Sequence, residues 1–291
     1  MSQIRCGARW HFSIGIWEGE VGVVIQSAAN PLIKRIRALD NRRERERAGK
    51  FWVEGIAPVW SAVESGAAID TLIIAPDLLT STGAREMVAA AQAKGVRVAE
   101  VSGDLFARLA AREHPSGLGA VVQMTRRTLD DLIVTPDALF VALDAVGNPG
   151  NLGTILRTAD AVGAHGAVLL GDSTDPYHAS AVKASMGALF RVPVVAVSSV
   201  GTLLDWCHAR GVGVVTTSAH AAVSHWEAVY PAPTLVLFGS EAQGLAPDVL
   251  AAGDLAVRIP MYGGVTSLNL AVAAGILLYE VRRTRDVHGR E

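Results

Sequence analysis

Two unbroken apolar runs, Leu139-Phe-Val-Ala-Leu and Leu235-Val-Leu-Phe, constrain this chain more than any other feature. A strand that is apolar at both parities must be covered on both faces, which is the condition of a parallel sheet sandwiched by helices. The rest of this half agrees, with strands predicted at 138–145, 167–170, 192–197, 213–217, 234–238 and 255–259 and helices at 152–162, 199–209 and 268–283. Half of the 291 residues are apolar, enough for a large core, so a disordered chain is excluded. The longest apolar run, 270–279, is about half the ~20 residues of a spanning helix, so no membrane segment is expected.

The first half alternates on a smaller scale. Strands at 51–54, 71–75, 96–101 and 119–124 and helices at 56–65, 83–93 and 104–112 predict a compact α/β domain over 25–125. A polar stretch at 126–137 reads as a linker, with a second domain over 138–291. Residues 1–24 are weakly patterned, and Glu18 and Glu20 interrupt any secretory core. They are expected to be a disordered or wrongly assigned extension, with a true start at Val21, Val23 or Val24. Two cysteines, Cys6 and Cys207, and no CxxC or HxxxH spacing point to a reducing cytoplasm, with neither disulfides nor a metal.

Charge is unevenly placed. A helix signal starts at Ser27, a candidate cap, with Leu32, Ile33, Ile36 and Leu39 at helical spacing. Between residues 34 and 50 eight basic side chains face three acidic ones, in a chain of formal net charge −2. Such a local excess binds phosphates whatever the distant charge. Lys34, Arg35, Arg42, Arg43, Arg47 and Lys50 are therefore candidate phosphate contacts, against the alternative of a solvated helix laced with Glu–Arg pairs. Trp52 and Trp60 sit at spacings that favour the core over base stacking, and the eight histidines form no catalytic set.

Three polar, glycine-bearing loops each follow an apolar strand. The first is Leu143-Asp-Ala-Val-Gly-Asn-Pro-Gly-Asn-Leu-Gly-Thr-Ile-Leu-Arg, in which Gly147, Gly150 and Gly153 permit close approach of a ligand and Arg157 follows one turn later. Its glycines are three apart throughout, so a nicotinamide-dependent oxidoreductase lacks the G-x-G start it needs. The second is Leu237-Phe-Gly-Ser-Glu-Ala-Gln-Gly-Leu. The third is Ile259-Pro-Met-Tyr-Gly-Gly-Val-Thr-Ser-Leu-Asn-Leu, where Thr266 or Ser267 is a candidate helix cap. Together they predict one cleft at the carboxyl ends of a sheet.

In order, N-P-G-N-x-G-x-x-x-R, G-S-E-x-x-G-L and I-P-M-x-x-x-x-x-S-L-N resemble the motifs of the SpoU family (TrmH-like, SPOUT superfamily) of S-adenosylmethionine-dependent RNA ribose 2′-O-methyltransferases, over about residues 139–283. Residues 27–124 resemble, less strongly, the ribosomal-protein-like substrate-binding domain that often precedes the catalytic one. The resemblance implies a C-terminal trefoil knot built from the second and third segments, which holds the cofactor bent, mostly through backbone atoms. It implies cofactor contacts at Thr217, Ser218, Gly239, Ile259, Met261, Ser267 and Leu268. It also implies catalytic or substrate-orienting roles for Arg157, Asn151, Glu241, Ser267 and Asn269, and a homodimer in which the arginine meets the partner's cofactor. A guanidinium rarely loses its proton, so Arg157 is expected to position the ribose and stabilise alkoxide charge rather than act as a base. The substrate implied is structured RNA, 23S ribosomal RNA before transfer RNA. A catalytically silent RNA-binding protein of the same fold is the alternative from another class.

Overall fold

The computed structural model describes residues 24–110 and 114–288. The reading of 1–24 therefore falls, Val24 apart, outside the described residues. The first half comprises α1 (Pro31–Ala38), α2 (Arg42–Ala48), β1 (Lys50–Glu54), α3 (Ile56–Glu64), β2 (Ile69–Ile74), α4 (Thr82–Ala93), β3 (Arg97–Glu100), α5 (Gly103–Ala107) and β4 (Leu118–Gln123). Its strands form one sheet in the order β1-β4-β2-β3, antiparallel except for β2–β3.

The second half comprises β5 (Leu139–Asp144), α6 (Pro149–Ala161), β6 (Gly166–Leu170), α7 (Ala179–Ser185), β7 (Val194–Val197), α8 (Val200–Arg210), β8 (Gly213–Thr217), β9 (Val223–Ser224), β10 (Thr234–Phe238), α9 (Pro247–Ala251), β11 (Leu255–Arg258) and α10 (Leu270–His288). All seven strands are parallel, in the order β7-β6-β5-β10-β8-β11-β9. The apolar runs occupy its centre, as their two-faced character requires. Val141 and Leu143 of β5 pack with Leu152, Ile155 and Leu278 on one side, while Phe140 and Ala142 pack with Trp206 and Leu237 on the other. Phe140 and Trp206 meet edge to face at 5.5 Å. Among the described residues no helix is long and apolar enough to cross a membrane.

The basic stretch differs from its reading as a single helix. Asn30, rather than Ser27, caps α1 by accepting from the Leu32 N–H at 2.8 Å. The chain then breaks at 39–41, and Asn41 caps α2 through the Arg43 N–H. The helix predicted over 104–112 stops at Ala107, and α7, α9 and β9 were not foreseen. Trp52 is core, closed over Gly119 and against Phe106.

One cation of that stretch is structural. Arg45 is 2% exposed, and its Nε and Nη2 both donate to Asp175 Oδ2, at 2.9 and 2.6 Å. Its Nη1 donates to the Leu39 and Asp40 carbonyls, where α1 ends. Asp175 also accepts from the Tyr177 N–H, and the Tyr177 hydroxyl accepts from the Thr125 N–H and donates to the Thr125 carbonyl. The two halves are thus tied by a buried ion pair and a pinned connector. Removing one partner strands a buried charge. Arg45→Met is expected to lower unfolding free energy by about 3–5 kcal/mol in urea titrations, and Arg45→Met/Asp175→Leu to recover much of it. An equal loss in the double variant would contradict this account.

Candidate active site

The carboxyl ends of β8, β10 and β11 open onto a cavity of about 660 Å³. Thr217 and Ser218 line it from β8, Gly239 from β10 and Ile259 from β11. Met261, Ser267 and Leu268 close it from the loop before α10. All seven residues implied as cofactor contacts therefore border one hollow. Thr217 Oγ1 donates to the Leu237 carbonyl at 3.1 Å, which holds the tips of β8 and β10 together. At Gly239 the loop folds back on itself: a Cβ there would lie 2.0 Å from the Gly244 carbonyl carbon and 2.3 Å from the Leu245 nitrogen. Gly244 makes that return with φ +68°, and its N–H donates to the Ser240 carbonyl.

Three of the catalytic candidates form one hydrogen-bonded chain. Glu241 accepts from the Gly147 N–H at 3.2 Å, the Asn148 N–H at 3.4 Å and Asn151 Nδ2 at 3.1 Å. Asn151 Oδ1 in turn accepts from Asn269 Nδ2 at 3.1 Å. Each of the three glycine-bearing loops supplies one member. Partial burial pushes the Glu241 carboxyl up, but donation from its own N–H, Asn151, Gly147 and Asn148 outweighs this and holds it below the usual glutamate range. Asn148 carries no such role in the sequence reading; it caps α6, accepting from the Gly150 and Asn151 N–H groups. Asparagine before a proline at the first helical position was its legible signal.

Two local readings are corrected, and a third residue is located. Asn269, not Thr266 or Ser267, caps α10, because its Oδ1 accepts from the Ala271 and Val272 N–H groups. Ser267 instead lines the cavity. Gly153 serves helix packing rather than a ligand, since a Cβ there would sit 2.3 Å from the Ala181 carbonyl of α7. Arg157 does not reach the mouth of its own cavity. It is exposed on α6, lies outside the cavity lining, and makes no hydrogen bond or ion pair among the described residues.

The remaining candidates lie on the first half. Lys34, Arg35, Arg42, Arg43 and Arg47 are exposed and Lys50 is half-buried. Arg42 pairs with Glu46, Arg47 with Glu44 and Lys50 with Asp70, whereas Lys34, Arg35 and Arg43 form no salt bridge among the described residues. The exposed pairs contribute little stability and leave their cations available.

The SpoU rRNA Methylase family matches residues 138–279, and an MRM3-like substrate binding domain matches residues 30–120. The 23S rRNA (uridine(2479)-2′-O)-methyltransferase of Streptomyces viridochromogenes is 38% identical over 258 residues, 87% of this chain and 88% of that protein. The 23S rRNA (guanosine(2553)-2′-O)-methyltransferase RlmP of Bacillus subtilis is 30% identical, over 89% of this chain and 98% of that one. An AdoMet-bound rRNA methyltransferase from Sinorhizobium meliloti superposes with a TM-score of 0.82 at 34% identity, over 89% of this chain and 97% of that one. The SpoU methyltransferase AviRb from Streptomyces viridochromogenes, in complex with AdoMet, gives 0.81 at 36%, over 89% of this chain and all of that one. A relative of such identity along nearly its whole length, meeting the convergence of the three motifs on one cavity, makes this chain a member of the SpoU family of RNA methyltransferases.

Proposed function

We propose that the protein transfers a methyl group from S-adenosylmethionine to a ribose 2′-hydroxyl of 23S ribosomal RNA, acting in the cytoplasm. The observation that carries this reading is the single cavity whose wall is tied to all three motif loops by the Glu241–Asn151–Asn269 chain. Relatives named for ribose methylation of 23S RNA support the substrate.

The residues present fit the cofactor. A cavity of about 660 Å³ lies within the usual range for small-molecule sites. Phe238, Ile259, Met261 and Leu277 give it apolar walls, while Thr217, Ser218 and Ser267 bring hydroxyls. When bound, S-adenosylmethionine supplies an electrophilic methyl on a sulfonium. The protein's part is to orient and to stabilise. Gly239 lets the 239–245 loop fold back to close the cavity wall, and Asn151 and Asn269, held through Glu241, present amide groups at the rim for the ribose. Arg157 contributes charge where the 2′-oxygen turns anionic, and it keeps its own proton throughout.

Because Arg157 is exposed and outside the lining of its own cavity, the reading includes a homodimer in which each guanidinium serves the partner's site. Exposed apolar side chains one helical face apart on α10, Val272 at 51% and Tyr279 at 55%, support such an interface. The C-terminal trefoil knot belongs to the same reading, supported by the return of both later motifs to one cavity.

The test is transfer of tritiated methyl from S-adenosylmethionine to total ribosomal RNA from cells lacking the gene, with mapping of alkali-resistant linkages. A 2′-O-methylated position in large-subunit RNA is expected. Cofactor binding without transfer would instead favour the silent RNA-binding protein. The pH dependence follows from Glu241. Its lowered pKa means that the carboxylate tie is intact above the ordinary value of about 4.3 and lost as pH falls through the lower folded value. Calorimetry should show cofactor affinity level down to about pH 5 and falling only below it, a fall that Glu241→Gln should lack.

A further inference from the structure

A second hollow, of about 270 Å³, lies at the carboxyl ends of β6 and β7, where the two halves meet. Gly171, Thr174 and Asp175 line it from the β6 side, Ala196 and Ser198 from β7, and Arg42 of α2 from the first half. It opens on the same edge of the parallel sheet as the 660 Å³ cavity, because every strand of that sheet points the same way. The strand order puts only β5 between β6 and β10, so the nearest strands bordering the two hollows are about 10 Å apart at the usual strand spacing. Between them stand the loop after β5, which carries Asn148, and the first turn of α6, which carries Asn151.

The hollow is built rather than incidental. Its Asp175 is the carboxylate that grips buried Arg45, so the negative charge on this wall is already neutralised. The same pair fixes α2 against the second half, and Arg42, one turn before Arg45, is thereby held over the opening. Among the described residues Arg42 is bound only to Glu46, in a pair that is water-exposed at both ends and easily exchanged for another anion.

We propose that this junction hollow is a subsite for the ribose–phosphate backbone of RNA flanking the methylated nucleotide, with Arg42 as its phosphate contact. The inference rests on the RNA-methylation reading above and assigns it a path. RNA runs from the cationic helices, through the hollow, across the loop after β5, to the catalytic cavity. The Arg45–Asp175 pair is the positioning device that keeps first-half cations and catalytic loops in register.

Two substitutions separate the hollow from a merely basic surface. Ser198→Phe fills it with an exposed, uncharged side chain, and Arg42→Gln removes the cation. Lys94→Gln, an exposed residue after α4, is the control. Methyl transfer to total ribosomal RNA from cells lacking the gene, filter binding of that RNA across a salt series and cofactor calorimetry are measured for each. Both variants should raise KM for RNA about tenfold while kcat and cofactor affinity stay within about twofold. Arg42→Gln should also flatten the plot of log affinity against log salt by about 0.7–0.9. Wild-type KM in Ser198→Phe overturns the subsite. If the unaltered enzyme binds this RNA but transfers no methyl, the functional reading falls and filter binding decides the subsite: weakened binding by Ser198→Phe upholds it, unchanged binding rejects it. If the enzyme does not bind the RNA, both fall.

Discussion

Arg157→Ala is expected to bind S-adenosylmethionine as the parent does and to lose methyl transfer by about a thousandfold, the scale for removing one charge-stabilising donor from a closed site. The basis is negative as much as positive. Among the described residues Arg157 supports no helix cap, no ion pair and no part of its own cavity, so deleting its side chain removes no contact seen there. An exposed residue without partners is normally replaceable within about 0.5 kcal/mol of stability. A collapse of turnover in a folded, cofactor-binding variant would therefore have to come from the reaction itself. Calorimetry beside the tritium assay reads both quantities, and near-normal turnover would sink the role. Mixing Arg157→Ala subunits with subunits that cannot bind cofactor should restore part of the activity, because a mixed dimer then pairs one intact guanidinium with one intact cavity.

Gly239→Val provides such a subunit and is the second large effect. The positions its Cβ would take are filled by the carbonyl carbon and oxygen of Gly244, at 2.0 and 2.2 Å, and the Leu245 nitrogen. These are backbone atoms, fixed by the Ser240–Gly244 hydrogen bond, so they cannot swing aside as a flexible side chain would. The loop over 239–245 must open, and Glu241 then leaves the Gly147 and Asn148 N–H groups that it joins to the third motif. We expect cofactor affinity to fall more than about a hundredfold and stability by about 1–3 kcal/mol or more, as overpacking typically costs. Gly263→Ala, in the loop before α10, is the contrast. A Cβ there meets nothing within 4 Å and its φ is not left-handed, so affinity should stay within about twofold. Equal losses in both variants would refute the close-approach account.

Much of this was legible before any coordinates. Parallel strands follow from apolar runs such as 139–143, since a strand buried on both faces has no polar parity to show. The residues implied as cofactor contacts line one cavity because a parallel sheet brings its strand ends, and the loops that leave them, to one edge. Caps were less reliable. Ser27, Thr266 and Ser267 all have the chemistry for the role, yet Asn30 and Asn269 took it, because several capable residues lay within one turn.

What sequence alone determined was local: which segments are strands, which loops follow them, and which side chains those loops display. Tertiary structure alone decided the pairings between distant segments. It buried Arg45, one basic residue among eight of similar appearance, because Asp175 lies 130 positions away and only packing brings the two together. It gave Gly153 to a neighbouring helix rather than a ligand, and it left Arg157 exposed and outside the lining of its own chain's cavity. Periodicity reports which way a residue faces on its own element; it carries no information about what stands opposite, and that is what separates an anchor, a spacer and a catalytic group.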